Sequence, residues 1–210
     1  MLQDIPGLKK RMVKLYINLF YVNDIPFLHT KSKNINYITI QKIDRRTTGE
    51  VRKKLRNVDK RYLTRGITIT DVFGDNKFNQ DAYREMLLPT TLHICAKGEH
   101  VPIIERSIRT VKERARLVYQ GTPYVKTTKL MAISLMEGVE RWLNTFPRLK
   151  DDESAPSPAM VLEGRNYLDA QAKRIAFGKC AMVHVGTKND ISIRTELCIA
   201  LRDSNNNVGR

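Results

Sequence analysis

MVKLYINLFYVNDIPFLHTKSKNINYITIQKI, residues 12 to 43, is the stretch whose reading decides the fold. Met12 to Val22 is rich in β-branched and aromatic residues and reads as a strand. Asn23-Asp24 is a turn signal, Ile25 to Ser32 reads as a second strand, and Asn34 opens a third, Ile35 to Ile43. Three consecutive strands joined by short turns make an antiparallel meander.

Downstream the period changes. Between Thr47 and Tyr62 the apolar residues Val51, Leu55, Val58 and Tyr62 recur at helical spacing amid Arg and Lys. Gly66 sits where a helix C-cap belongs, and Ile67 to Val72 reads as a fourth strand. A short helix from about Asp81 stops near Leu88, before Pro89, and Leu92 to Ala96 is a fifth strand. Pro102 suits the first turn of a long helix that runs to Tyr119, and another helix spans Thr128 to Leu143. This order predicts one mixed α/β sheet with helices on its faces.

Near Phe146 the character shifts again. Pro147, Pro156 and Pro158 surround Asp151-Asp152-Glu153-Ser154, which reads as a linker. Beyond it, Arg174 to Phe177, Cys180 to Val185 and Leu197 to Leu201 are short β-like runs. The expected organisation is a domain over residues 1–146, a linker over 147–172, and a small β appendage with a polar tail over 173–210.

Composition narrows the function. Lys and Arg number 37 against 22 acids, a formal net charge of +15. A charge of that size is the footprint of a nucleic-acid partner, although an anionic membrane surface or plain solubility would also account for it. No run of 18 apolar residues exists, so no membrane span is expected, and the first residues lack the apolar core of a secretory signal. The three cysteines form no CxxC and the four histidines are scattered. That pattern speaks against a disulfide scaffold or a structural zinc site and for a reducing, intracellular setting.

The segment with most chemistry in it is EHVPIIERSIRTVKER, residues 99 to 114. At helical spacing Val101, Ile104, Ile108, Val111, Ala115 and Val118 form the face that packs on the sheet. Glu105, Arg109, Lys112 and Arg116 form a second stripe, one carboxylate heading three cations. A metal-binding acid followed by phosphate-gripping bases has this form. So does a solvated face in which Glu105 pairs with Arg109. Trp142, Leu143 and Phe146 read as packing at a helix end, and His100 as a surface residue at a helix start.

Ile104 to Arg109, together with Asp75-Asn76-Lys77-Phe78, Asn144 to Pro147, Ser157-Pro158 and Phe177-Gly178, resembles the integrase of copia-type retrotransposons. The resemblance runs from about residue 12 to 201. It implies an RNase H-like fold and an Asp-Asp-Glu triad that holds two divalent ions, Mg²⁺ or Mn²⁺, for phosphodiester transfer during DNA integration. Carried over, Asp75 is the second acid and Glu105 the third. The first falls on Asn18, where an amide keeps the shape and loses the charge, so the triad reads as incomplete. Asp71 is an alternative second acid, whereas Asp24 reads as a turn residue. Arg106, Arg109, Lys112 and Arg116 are expected on the DNA backbone.

The family's zinc-binding N-terminal domain has no counterpart here, which suggests a polyprotein fragment or a decayed copy. Three readings follow: an integrase-like DNA-binding core without activity, a working enzyme that uses Asp71, Asp75 and Glu105, or a DNA- or RNA-binding module without chemistry. Location in the nucleus or cytoplasm is expected, and homo-oligomerisation is left open.

Overall fold

Asn23 and Asp24 take φ values of 47° and 60°, the two consecutive left-handed residues of a type I′ turn, which short Asn and Asp side chains tolerate. The turn joins β1 (Met12–Val22) to β2 (Ile25–Ser32), in a register that pairs Val22 with Ile25 and Asn18 with His29. The third strand, β3 (Ile38–Lys42), is shorter than its apolar run because Asn36, at φ 61°, turns the chain beside Tyr37. A computed structural model describes residues 11–87, 89–95, 101–146, 156–164, 175–186 and 193–201. His100 and the polar tail lie outside them.

After the meander come α1 (Thr48–Leu63), β4 (Thr68–Gly74), a 3₁₀ turn at Asn76–Phe78, α2 (Asp81–Leu87) and β5 (Thr91–Ile94). Next are α3 (Pro102–Gln120), α4 (Lys129–Thr145) and α5 (Pro158–Glu163), and then β6 (Cys180–His184) and β7 (Thr195–Ile199). The order β3-β2-β1-β4-β5 makes a five-stranded mixed sheet, with β4 parallel to both β1 and β5. Helix α1 begins with an N-cap in which the Thr47 hydroxyl accepts from Glu50 N, while the Glu50 carboxylate accepts from the Asp44 and Arg45 amides of the preceding turn. It ends before Gly66, whose φ of 65° reverses the chain into β4.

Alternation along β1 separates two layers. Val13, Leu15 and Ile17 pack with Val51, Leu55, Val58 and Tyr62 of α1. On the opposite face, Phe20 and Phe27 meet Val111 and Ala115 of α3 and Leu135, Met136 and Val139 of α4. The free edge of β3 is closed by side chains of α4. Asn144 accepts from Ile38 N at 2.9 Å and donates to Ile38 O at 2.8 Å, and Glu140 accepts from Ile40 N at 2.8 Å. These bonds occupy backbone groups that an open edge would offer to another chain.

Besides the shortened β3, three sequence readings differ from the structure. Within the stretch read as a linker, Ser157 caps α5 and Gly164 (φ 67°) ends it, while Leu162 is buried in the α1-side core. The local composition of Pro and acids had concealed a short, well-capped helix. Ile175–Phe177 lead into a turn at Gly178 (φ 80°), not a strand. Val118 is 42% exposed rather than buried, whereas its neighbour Tyr119 packs against the core. The two other β runs of the appendage form the antiparallel pair β6–β7.

Candidate active site

Asn18 lies in the middle of β1, on the face covered by α3. Its Oδ1 accepts from Leu19 N at 2.8 Å. The neighbouring residues on that face are Tyr16 and Phe20, both buried. Tyr16 is level with Phe73 of the parallel strand β4, and their rings stack at 5.1 Å. One further same-face step along each strand leads to Asn18 and to Asp75. Asp75 lies one residue past the end of β4, so the register carries the second predicted acid toward the level of the amide.

Asp75 is held by the turn that follows it. Its carboxylate accepts from Asn76 N at 2.6 Å and lies 3.5 Å from Lys77 Nζ. The chain can fold back so tightly because residue 74 is glycine. A Cβ there would sit 3.0 Å from the Phe78 ring and 3.2 Å from Ile17.

Glu105 occupies the first turn of α3 and is exposed. Two interactions fix that turn over the sheet. Ile104 is buried with Val101 against Tyr16, and Ser107 Oγ lies 2.8 Å from His29 Nε2. His29 Nδ1 lies 3.0 Å from Thr39 O, an atom that can only accept. Nδ1 therefore carries the proton, and Nε2 accepts from the serine hydroxyl. Burial holds His29 neutral, its pKa lowered to about 4. Since His29 is the β2 partner of Asn18, this bond sets the start of α3 above the Asn18–His29 pair. Sequence reading missed the pair, yet it left a signal. Ser107 is a polar residue at helical spacing between the buried Ile104 and Val111.

Asp71 lies elsewhere. It is four residues back along β4, about 13 Å from the Asp75 position at strand rise. There it bonds His93 Nε2 and Thr70 Oγ1, both at 2.8 Å, with Lys14 Nζ at 3.7 Å. Hydrogen bonds from His93 and Thr70 hold its carboxyl below the usual range. Asp24 is in the hairpin turn, six residues along β1 from Asn18, or about 20 Å. Neither is brought to the Asn18–Asp75 pair.

Along α3, Arg106, Arg109 and Arg116 are exposed. Lys112 is half-buried, with its Nζ 5.7 Å from the centroid of the Phe20 ring. The stripe thus starts at the candidate site and runs beside β1 toward the hairpin. Among the described residues none of these four forms an ion pair. Arg114 is turned away, its guanidinium 4.8 Å from the Trp142 ring.

No family model and no curated protein matches the chain. Solved structures do match, among them the catalytic core domain of BIV integrase, with a TM-score of 0.53 and 16% identity over 75% of this chain and 98% of that one. The chain has an integrase-core fold. The mixed five-stranded sheet with flanking helices is therefore as the sequence predicted.

An integrase-core fold raises the question of divalent metal, and the donor set here does not fit an ion pair. Among the described residues no three His, Cys, Asp or Glu side chains gather as a metal site would require. Asn18 offers a neutral oxygen already engaged by Leu19 N, and Asp75 shares its charge with Lys77. Two hard cations need several anionic oxygens at short range. The site has the frame for them without the charge.

Proposed function

We propose that this chain is an integrase-like nucleic-acid-binding core of copia-type retrotransposon origin. In this copy Asn18 has replaced the first metal-binding acid and the transfer chemistry is lost. What supports the reading is the register that sets Asn18 on β1 and Asp75 just past the end of the parallel strand β4, under a helix that bears Glu105 and then a row of cations. Asp75 and Glu105 are the two acids of the ancestral triad that remain, too few as they stand to hold the Mg²⁺ or Mn²⁺ pair. Arg106, Arg109, Lys112 and Arg116 hold the DNA backbone, touching phosphates and not bases. The likeness of fold to the BIV integrase core supports the ancestry. A nucleus-or-cytoplasm location, and descent from a longer polyprotein, go with the same reading. The alternative in which Asp71 completes a working triad is not adopted, because Asp71 is a strand length away and bonded to His93.

Removing one cation from a phosphate reduces the slope of log K against log salt by about 0.9 on duplex DNA. The test is duplex binding in EDTA across a salt series, for the wild type and for Arg106→Gln/Arg109→Gln/Arg116→Gln. The reading expects metal-independent binding whose slope falls by about 2.7 in the triple variant. An unchanged slope would remove α3 from the interface.

A further inference from the structure

The densest positive charge in the chain is not at the candidate site. Between Arg45 and Arg65 nine Lys and Arg stand against two acids, Glu50 and Asp59. That is a net +7 of the chain's +15, carried by a tenth of its length. Helix α3 has five cations against two acids. Glu50 is committed to the Asp44 and Arg45 amides, and with Asp59 counted in full the segment still carries its net +7. Among the described residues Arg52, Lys53, Lys54, Arg56 and Lys60 form no ion pair.

Geometry makes a surface of them. Lys53, Arg56 and Lys60 are exposed and spaced three and four residues apart, which lines them along one ridge about 10 Å long at 1.5 Å per residue. The apolar side of α1, formed by Val51, Leu55, Val58 and Tyr62, is buried in the core. A helix that lies on a membrane keeps its apolar face for lipid. This helix turns its apolar stripe inward and presents a mostly cationic outer face, which suits a phosphate backbone. The α1 layer is also on the opposite face of the sheet from α3, so one duplex laid along the α3 stripe leaves the α1 ridge open.

We propose that the outer face of α1 is a second nucleic-acid-binding surface, independent of the α3 stripe, so that one chain holds two duplexes at once. The second duplex rests on α1 alone, whereas the first rests on the function proposed above. The two can therefore fail separately.

The experiment titrates a short labelled duplex into the full chain and follows stoichiometry and salt slope. The variants are Lys53→Gln/Arg56→Gln/Lys60→Gln on α1, the α3 triple, and both together. Gln keeps helix propensity close to that of Lys and Arg, and circular dichroism confirms the fold. The wild type is expected to bind two duplexes per chain and each triple variant one. The α1 variant binds at the second site a hundred-fold or more weakly at moderate salt, as removing three cations from phosphates implies. An α1 variant with unchanged stoichiometry and slope overturns the proposal, whatever the α3 variant does. Loss of binding only in the α1 variant supports this surface and sinks the α3 interface. Vesicles rich in phosphatidylserine are the competitor, and their displacing DNA from α1 at equal phosphate would overturn the assignment to nucleic acid.

Discussion

Glu140 gives the structure a stability that depends on pH in a calculable way. Its carboxyl is buried between α4 and the edge of β3, with Ile40 N donating to it at 2.8 Å and Arg61 Nη1 at 3.7 Å. Desolvation outweighs both partners and raises its pKa from 4.5 to about 7. The folded state therefore holds the proton more tightly than the unfolded chain. Stability is full below the unfolded pKa and is lost as pH rises through the folded one. A shift of about 2.5 units at 1.36 kcal/mol each amounts to about 3 kcal/mol, lost between roughly pH 4.5 and 7. Glu140→Gln keeps the shape and the acceptor for Ile40 and cannot ionise. The variant should match the wild type at pH 4.5 and exceed it by about 3 kcal/mol at pH 8. Urea unfolding at several pH values measures the difference, in which titrating groups that do not interact with Glu140 cancel. A difference that is flat with pH, or that favours the wild type at pH 8, would refute the reasoning.

Ser107→Ala removes the donor to His29 Nε2 and leaves a buried acceptor unsatisfied. A loss of about 1–3 kcal/mol is expected in denaturant unfolding. His29 itself, neutral with a pKa near 4, makes stability fall as pH drops from about 6.5 toward 4, and His29→Gln should flatten that limb in the same assay. Gly74→Ala places a methyl 3.0 Å from the Phe78 ring. It should cost about 1–3 kcal/mol in thermal unfolding, as overpacking does, and displace the turn that holds Asp75.

The meander was legible because its turn is local chemistry: Asn23-Asp24 can adopt positive φ, and the flanking residues favour strands. Helices α1, α3 and α4 were legible from their apolar period, and Gly66 from its place after one. What sequence did not disclose is non-local. That Asn18 and Asp75 fall toward one level depends on the parallel register of β1 with β4, across more than fifty residues of chain. The His29–Ser107 bond crosses 78 residues, and its two halves look unremarkable apart. Helix α5 carried its own caps in Ser157 and Gly164, but the surrounding prolines and acids suggested an open linker. The basic run along α1 was visible as charge. Only the layer it occupies shows that it faces away from the candidate site.

The central claim is that one missing carboxylate, at Asn18, separates this chain from a working phosphodiester transferase. Mn²⁺-dependent strand transfer on a branched DNA substrate tests it, with the wild type beside Asn18→Asp and Asn18→Asp/Asp75→Asn. The account predicts activity in Asn18→Asp only. Equal activity in the wild type and Asn18→Asp would contradict it, as would silence from an Asn18→Asp protein that is folded and binds the substrate.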